Sequence, residues 1–295
     1  MSSASQVLKD FSDAAVAVVE SAARSVVAVR GREWGQASGI ILKPGVVVTA
    51  EEALDKDEEI EITLPDGATV KATLVGRDPS TDVAVLGYEG GDATVDAPVA
   101  ATAKAGSLVL SLGRNGKESI VALGVIAYAG PAWRSSQGGE IDRMIRADVR
   151  LARAAEGGPL VDAEGKLVGM AVFGPRRRVL AIPQATIVRA AEQILAHGSV
   201  SRGYIGVSVQ SVRVDGEGEG RGAMVVSLDA EGPAKKAGVL LGDILLTWDG
   251  EDVSGTRSVV HRLGPGTVGS TVKLGLSRAG SPTELTLTVG ERPSA

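Results

Sequence analysis

The chain has no cysteine, which excludes disulfides, thiol nucleophiles and cysteine-held metals. Histidine is nearly as scarce. His197 and His261 are the only two, so imidazole chemistry has just two possible sources. Aromatic side chains make up 3% of the 295 residues, and the cores must therefore be aliphatic. No segment reaches the roughly 20 apolar residues that a membrane helix needs. Residues Met1–Asp10 lack the basic start and apolar run of a signal peptide, so the chain as written is expected in the cytoplasm, or in the periplasm if a leader has been trimmed. Neither sign of charge dominates: 31 lysines and arginines stand against 36 acids, a net charge of −5. That balance argues against nucleic acid as a partner and gives no pull toward anionic lipid.

Glycine is plentiful, at 39 residues against a usual ~7% of a chain, and predicts frequent turns. At about 150 residues per domain the length suggests two domains. An amphipathic helix opens the chain, with Leu8, Phe11, Ala15, Val18, Val19 and Ala22 at helical spacing. The period then changes to short β-rich runs: Ser25–Arg30, Gly39–Leu42, Val46–Thr49, Ile60–Leu64, Thr69–Val75, Val83–Gly87, Ser107–Leu112, Val121–Ala127 and Leu167–Phe173. Pro65-Asp66-Gly67 supplies turn chemistry between two of them. Closely spaced short strands predict an all-β barrel or sandwich. A second helix is expected over Ala185–Ala196, stopped by Gly198. A second β-rich unit follows over Tyr204–Val289, interrupted by the glycine-acid stretch Asp215–Gly222 and two short helices.

Several motifs in order carry a family resemblance. They are Gly39-Ile40-Ile41-Leu42, Val48-Thr49-Ala50, Leu64-Pro65-Asp66-Gly67, Asp78 through Leu86, Gly157-Gly158-Pro159-Leu160-Val161, Gly165 through Gly169 and Ala181-Ile182-Pro183. Their order and spacing resemble the HtrA (Deg) family. The resemblance implies a mainly β architecture: a chymotrypsin-like double β-barrel over residues 1–198, including the opening helix and a linker helix, then a PDZ domain (a β-sandwich with two helices) over 199–295. Arg202-Gly203-Tyr204-Ile205-Gly206-Val207 looks like the carboxylate-binding loop of such a PDZ domain. Gly232-Pro233-Ala234, Ala237-Gly238-Val239 and Gly242 through Leu245 look like its interior. The loop Gly130–Gly139, with Trp133, corresponds to a regulatory loop of the family.

The resemblance also places a catalytic triad, and here the sequence departs from it. Glu52 stands at the histidine position and Glu156 at the nucleophile position, while Asp82 keeps the aspartate. Ala154 takes the place of a glycine at the oxyanion hole. A glutamate cannot perform the serine's attack, and a carboxylate near pKa ~4 is a poor base for a hydroxyl. The expectation is therefore a protein that is not an enzyme: an inactive relative of serine endopeptidases with no cofactor and no metal. Three converging carboxylates would raise one another's pKa, recruit a hard cation, or pair with arginines such as Arg153 and Arg176–Arg178.

The PDZ-like unit keeps its parts. Tyr204, Ile205, Gly206 and Val207 are expected to hold a peptide carboxylate through successive amides, with Arg202 adding charge. A helix over Gly255–Leu263 would form the other wall, with Val259 facing the ligand, which predicts apolar C-terminal residues. The function implied is the binding of C-terminal or extended peptides and unfolded chains, in an adaptor, chaperone-like or regulatory role. Two alternatives stand beside it: an active endopeptidase, or a carboxylate- or metal-dependent hydrolase in the Glu52/Asp82/Glu156 cleft; and a structural subunit assembling with active relatives, or a homotrimer through Leu8 and Phe11.

Overall fold

The computed structural model describes residues 4–33, 35–55, 57–90, 101–214 and 220–292. Most of the glycine-acid stretch Asp215–Gly222 lies outside them. The described residues group into two compact units, one running to Trp133 and resuming over Ile141–Ser199, the other comprising Arg134–Glu140 and the residues from Val200 onward.

The first unit holds two closed barrels. In the first, β1 (Val26–Arg30), β2 (Ala37–Lys43), β3 (Val46–Thr49), β4 (Ile60–Thr63), β5 (Thr69–Asp78) and β6 (Val83–Tyr88) close in the order β1-β2-β3-β6-β5-β4. β-branched runs supply the strands, and Ile40, Ile41, Val47, Ile60, Ile62 and Leu86 fill the interior, each at most 1% exposed. Pairing is antiparallel throughout, with Val26–Val29 opposite Ala37–Ile40 and Ala28–Arg30 opposite Glu61–Thr63.

The second barrel uses β7 (Leu108–Asn115), β8 (Glu118–Ala129), β11 (Ile145–Asp148), β12 (Pro159–Asp162), β13 (Leu167–Phe173) and β14 (Val179–Ile182), in the order β11-β14-β13-β12-β7-β8. Between β8 and β11 lies a short pair, β9 (Trp133–Arg134) and β10 (Glu140–Ile141). The fold class is thus the mainly β, double-barrel one expected. Strands β11, β12 and β14 are short, four residues each; β12 and β14 overlap the Gly157–Val161 and Ala181–Pro183 motifs, and β11 lies in none of the expected β-runs or motifs.

Helix α1 (Ala4–Ala22) lays Val18, Val19 and Ala22 on Val26, Leu110, Leu112 and Val161. Val7, Leu8, Phe11 and Val16 are exposed, Phe11 on the same face as Val18 beside Leu108 and Leu123. Helix α2 (Gln184–His197) buries Ile187, Ala190, Ala191 and Ile194. It ends where the Gly198 N–H donates to the Ile194 carbonyl at 2.7 Å, one residue beyond the expected end.

The second unit is a sheet ordered β16-β17-β18-β20-β21, formed by β16 (Val207–Arg213), β17 (Arg221–Leu228), β18 (Ile244–Trp248), β20 (Thr271–Arg278) and β21 (Ser281–Thr288). β19 (Glu251–Asp252) pairs with β18, and β15 (Gly203–Tyr204) pairs with β22 (Gly290–Glu291). Helices α3 (Pro233–Lys236) and α4 (Thr256–Arg262) complete it. Its core includes Ile205, Val225, Leu245, Trp248, Leu274 and Leu276. Val259 belongs there too, at 2% exposure. The expectation that Val259 faces a ligand is corrected: α4 turns that side chain inward, because its apolar face is what holds the helix on the sheet.

Candidate active site and peptide groove

The barrel site begins at the turn between β5 and β6. Asp78, buried there, accepts hydrogen bonds from the Ser80 N–H at 3.0 Å, the Ser80 hydroxyl at 2.5 Å and the Thr81 hydroxyl at 2.6 Å. This side-chain turn delivers Asp82 in the left-handed region, φ 57°, a conformation that aspartate tolerates better than most residues. The Asp82 carboxylate then accepts from the Glu52 N–H at 2.9 Å, and its carbonyl accepts from the Glu51 N–H at 3.3 Å.

Loss of solvation pushes the Asp82 carboxyl up to about 7; the Glu52 N–H opposes the rise, and the charges of Glu52, Glu156 and Glu51 add to it. The sequence positions Glu52, Asp82 and Glu156 are therefore brought together, joined by Glu51. They are not equivalent. Glu52 is exposed. Glu51 is tied down by Arg77 at 3.2 Å, which also reaches Asp57 at 2.6 Å.

Glu156 is buried against Arg32, and the two side chains are 7% and 9% exposed. Arg32 also donates through Nε to the Ala53 carbonyl at 2.8 Å, so it ties the Glu156 loop to the turn that carries Glu52. The arginine partner expected for these acids was Arg153 or the Arg176–Arg178 run. The structure corrects this: the partner is Arg32, 124 residues from Glu156 in sequence. No local pattern could have indicated a pair that only barrel closure creates.

The Glu156 loop is pinned from below. The Ser38 N–H donates to the Glu156 carbonyl at 2.8 Å, and the Ser38 hydroxyl donates to the Ala154 carbonyl at 2.6 Å. Ala154 itself lies in a tight turn over Arg153–Ala155, and the Glu156 N–H points back to the Arg153 carbonyl at 3.4 Å. Gly157 follows at φ 81°, where an added Cβ would lie 2.4 Å from the Ser38 carbonyl oxygen. Only glycine allows that approach. Among the described residues no group of three or more ligating side chains is arranged to hold a metal ion. His197 lies on α2 and His261 on α4.

The second site is a groove of about 570 Å³ in the second unit, lined by Arg202, Tyr204, Gly206, Val207, Val260 and Leu263 among others. Ile205 is in the core, so its contribution to a ligand is confined to its backbone. Gly206 has φ 76°, and an added Cβ would meet Gly232 Cα at 2.8 Å. The Tyr204 hydroxyl donates to Asp229 at 2.8 Å. This bond raises the tyrosine pKa and lowers that of the aspartate. Arg202 and Arg292 put positive charge at the groove, and the Arg202 guanidinium donates to the Gln137 carbonyl. Val260 and Leu263 form the apolar wall assigned to Val259. α4 is only seven residues long, too short for its sequence to fix which of two adjacent valines faces inward.

Two barrels ahead of a five-strand sheet with a glycine-closed groove match known proteins over most of the chain. Residues 37–170 match the model of the trypsin-like peptidase domain, and residues 203–289 match that of the PDZ domain. The structure of "HtrA-type protease AlgW with decapeptide" superposes with a TM-score of 0.73 at 26% identity, covering 95% of this chain and 99% of that one. The chain belongs to the HtrA family.

A serine endoprotease structure from Yersinia pestis gives a TM-score of 0.71 at 27% identity, covering 94% of this chain and 97% of that one. A probable periplasmic serine endoprotease DegP-like from Pseudomonas savastanoi pv. phaseolicola is 34% identical over 270 residues, spanning 87% of this chain and 56% of its own length. The corresponding protein of Brucella suis is 29% identical, spanning 89% and 54%. The chain thus spans little more than half the length of these curated relatives. The expectation that this HtrA protein is not an enzyme is overturned by this kinship, because the relatives that match it are named serine endoproteases. Glu52 and Glu156 are two positions, whereas the kinship runs through the whole two-barrel and PDZ frame.

Proposed function

We propose that this chain is a polypeptide-handling HtrA protein whose PDZ unit grips the C-terminal end of a partner chain. The observation that carries this reading is the groove beside Tyr204–Val207. A glycine at positive φ opens the backbone there, two arginines supply charge, and Val260 and Leu263 supply an apolar wall. A chain terminus fits these parts: its carboxylate goes to backbone amides, its last side chain to the wall, and its backbone to the edge of β16. Related structures solved with a decapeptide and a tripeptide support the same use. A labelled peptide ending in valine should bind, and its C-terminal amide should bind at least tenfold more weakly by fluorescence anisotropy. Equal affinity for acid and amide rejects the groove as a carboxylate site.

A second reading is peptide-bond hydrolysis in the barrel cleft, with 1–198 as the catalytic domain and 199–295 as the PDZ domain. The relatives' names favour it, and so does Asp82, whose carboxyl burial pushes up to about 7. With carboxylates at 52 and 156, Asp82 would take a proton from water as that water adds to the scissile carbonyl. A base with pKa near the working pH suits this step. Mass spectrometry of casein incubated for a day should show fragments that disappear with Asp82→Asn. An unchanged digest, or fragments that persist in that variant, eliminates this route. The relatives' periplasmic compartment is the one we assign to this chain, and the exposed Val7, Leu8, Phe11 and Val16 of α1 are its candidate assembly surface.

A further inference from the structure

The first unit carries a pocket whose lining includes neither Glu52 nor Glu156. It lies on the outer side of the second barrel and holds about 500 Å³. Tyr128, Arg146 and Leu180 sit side by side across β8, β11 and β14. Trp133, Met144, Pro175, Arg176 and Arg178 complete the lining.

Three features set this pocket apart from an ordinary solvated surface. Among the described residues no acid lines it, and none of Arg146, Arg176 and Arg178 forms an ion pair. In a chain of net charge −5, three unneutralised guanidiniums around one cavity make a local positive field. The rings are also placed for cations and for flat ligand groups. Arg146 lies 5.9 Å from the Tyr128 ring centroid. The Trp133 indole N–H is shut off from solvent and has no acceptor among the described residues, so no internal hydrogen bond of its own fixes that ring in place. Finally, Arg176 and Arg177 hold φ 58° and 56° in succession, where glycine or asparagine is usual. The turn keeps arginines at a backbone cost, and observed strain of this kind points to use.

We infer that this pocket binds an acidic polypeptide segment carrying an aromatic or bulky apolar residue between carboxylates. Guanidiniums pair with carboxylates in a planar, two-point geometry. Met144, Pro175, Leu180 and the Tyr128 and Trp133 rings give the intervening side chain an apolar bed. The cavity's size suits one or two side chains. Such a site holds an internal stretch of polypeptide, whereas the PDZ groove holds an end. The inference stands independently of the groove.

The test uses the full chain and a dye-labelled Asp-Glu-Phe-Glu-Asp peptide blocked at both ends, so that no free carboxyl terminus is present. The peptide should bind, and affinity should fall at least tenfold in the Arg176→Glu/Arg178→Glu variant. Both side chains are exposed, and an unchanged melting temperature will show that this variant is folded. Arg146→Gln, on a strand rather than in the turn, should weaken binding several-fold and serves if the double variant misfolds. Raising salt from 50 to 500 mM should also weaken it, since the contacts are ionic. Equal binding of Lys-Lys-Phe-Lys-Lys, or affinity unmoved in folded arginine variants, overturns the proposal. So does polyphosphate or single-stranded DNA binding more tightly than the peptide, which would make the pocket a general polyanion site.

Discussion

Asp82 is the residue whose chemistry departs furthest from its type. Its folded pKa of about 7 lies above the ordinary aspartate value of 3.8, so between those values the folded state holds a proton that the unfolded state has lost. Stability is full below pH ~4 as far as this group is concerned, and it declines as pH rises through 7. A loss of roughly 2 to 4 kcal/mol is expected between pH 4 and 8, read from urea midpoints, and Asp82→Asn should flatten that slope. An unchanged slope in the variant would assign the titration to another group. Arg32 and Glu156 make the complementary case of a buried pair. Arg32→Ala strands a buried carboxylate and should destabilise by about 3 to 5 kcal/mol. Adding Glu156→Gln to it should restore at least half of that loss, measured by the same denaturation, because the stranded charge is gone. That Asp82 ends a strand-to-strand turn is legible in Asp78-Pro79-Ser80-Thr81-Asp82. That Arg32 answers Glu156 is not.

At the scale of elements, the most exacting fit is α2 against the first barrel. An added Cβ on Gly76 of β5 would lie 2.0 Å from the Gly198 carbonyl oxygen and 2.9 Å from an Ile194 methyl. Gly76→Ala should therefore lift the end of α2 and cost about 2 kcal/mol, with faster amide exchange over residues 190–198. Gly87→Ala, whose Cβ would meet a Val75 methyl at 3.4 Å and the Thr73 carbonyl oxygen at 3.9 Å, is the control and should cost far less. Equal effects would mean that strand propensity, not helix docking, sets the penalty. The helix itself was readable from its stripe and its glycine stop. Its berth was not, because nothing near Gly76 in sequence announces a helix that arrives more than a hundred residues later. The same distinction explains α4: its existence was visible, but its rotation, and so the exchange of Val259 for Val260 at the groove, was set by packing on the sheet.

At the scale of the whole molecule, two sites of different taste are proposed, one for a polypeptide end and one for an acidic interior. A valine-terminated peptide should therefore fail to displace the blocked acidic peptide, even at concentrations that saturate the PDZ groove. Competition between them would place both in one site. Gly206→Ala should abolish binding of the first peptide and leave the second within twofold, as separate anisotropy titrations would show.

The sequence by itself determined the family frame. Alternating and β-branched runs and turn residues at fixed offsets are local signals of a mainly β chain, and the ordered motifs carry the HtrA resemblance that implies two barrels with a PDZ unit. It also determined which side chains stand at the family's triad positions, since position within a motif is a property of the string. The tertiary structure alone decided what surrounds those side chains. Desolvation of Asp82, the Arg32–Glu156 pair and the arginine-and-ring pocket each join residues from separate strands or loops. Their energies depend on distance and dielectric, quantities that exist only once the barrels have closed.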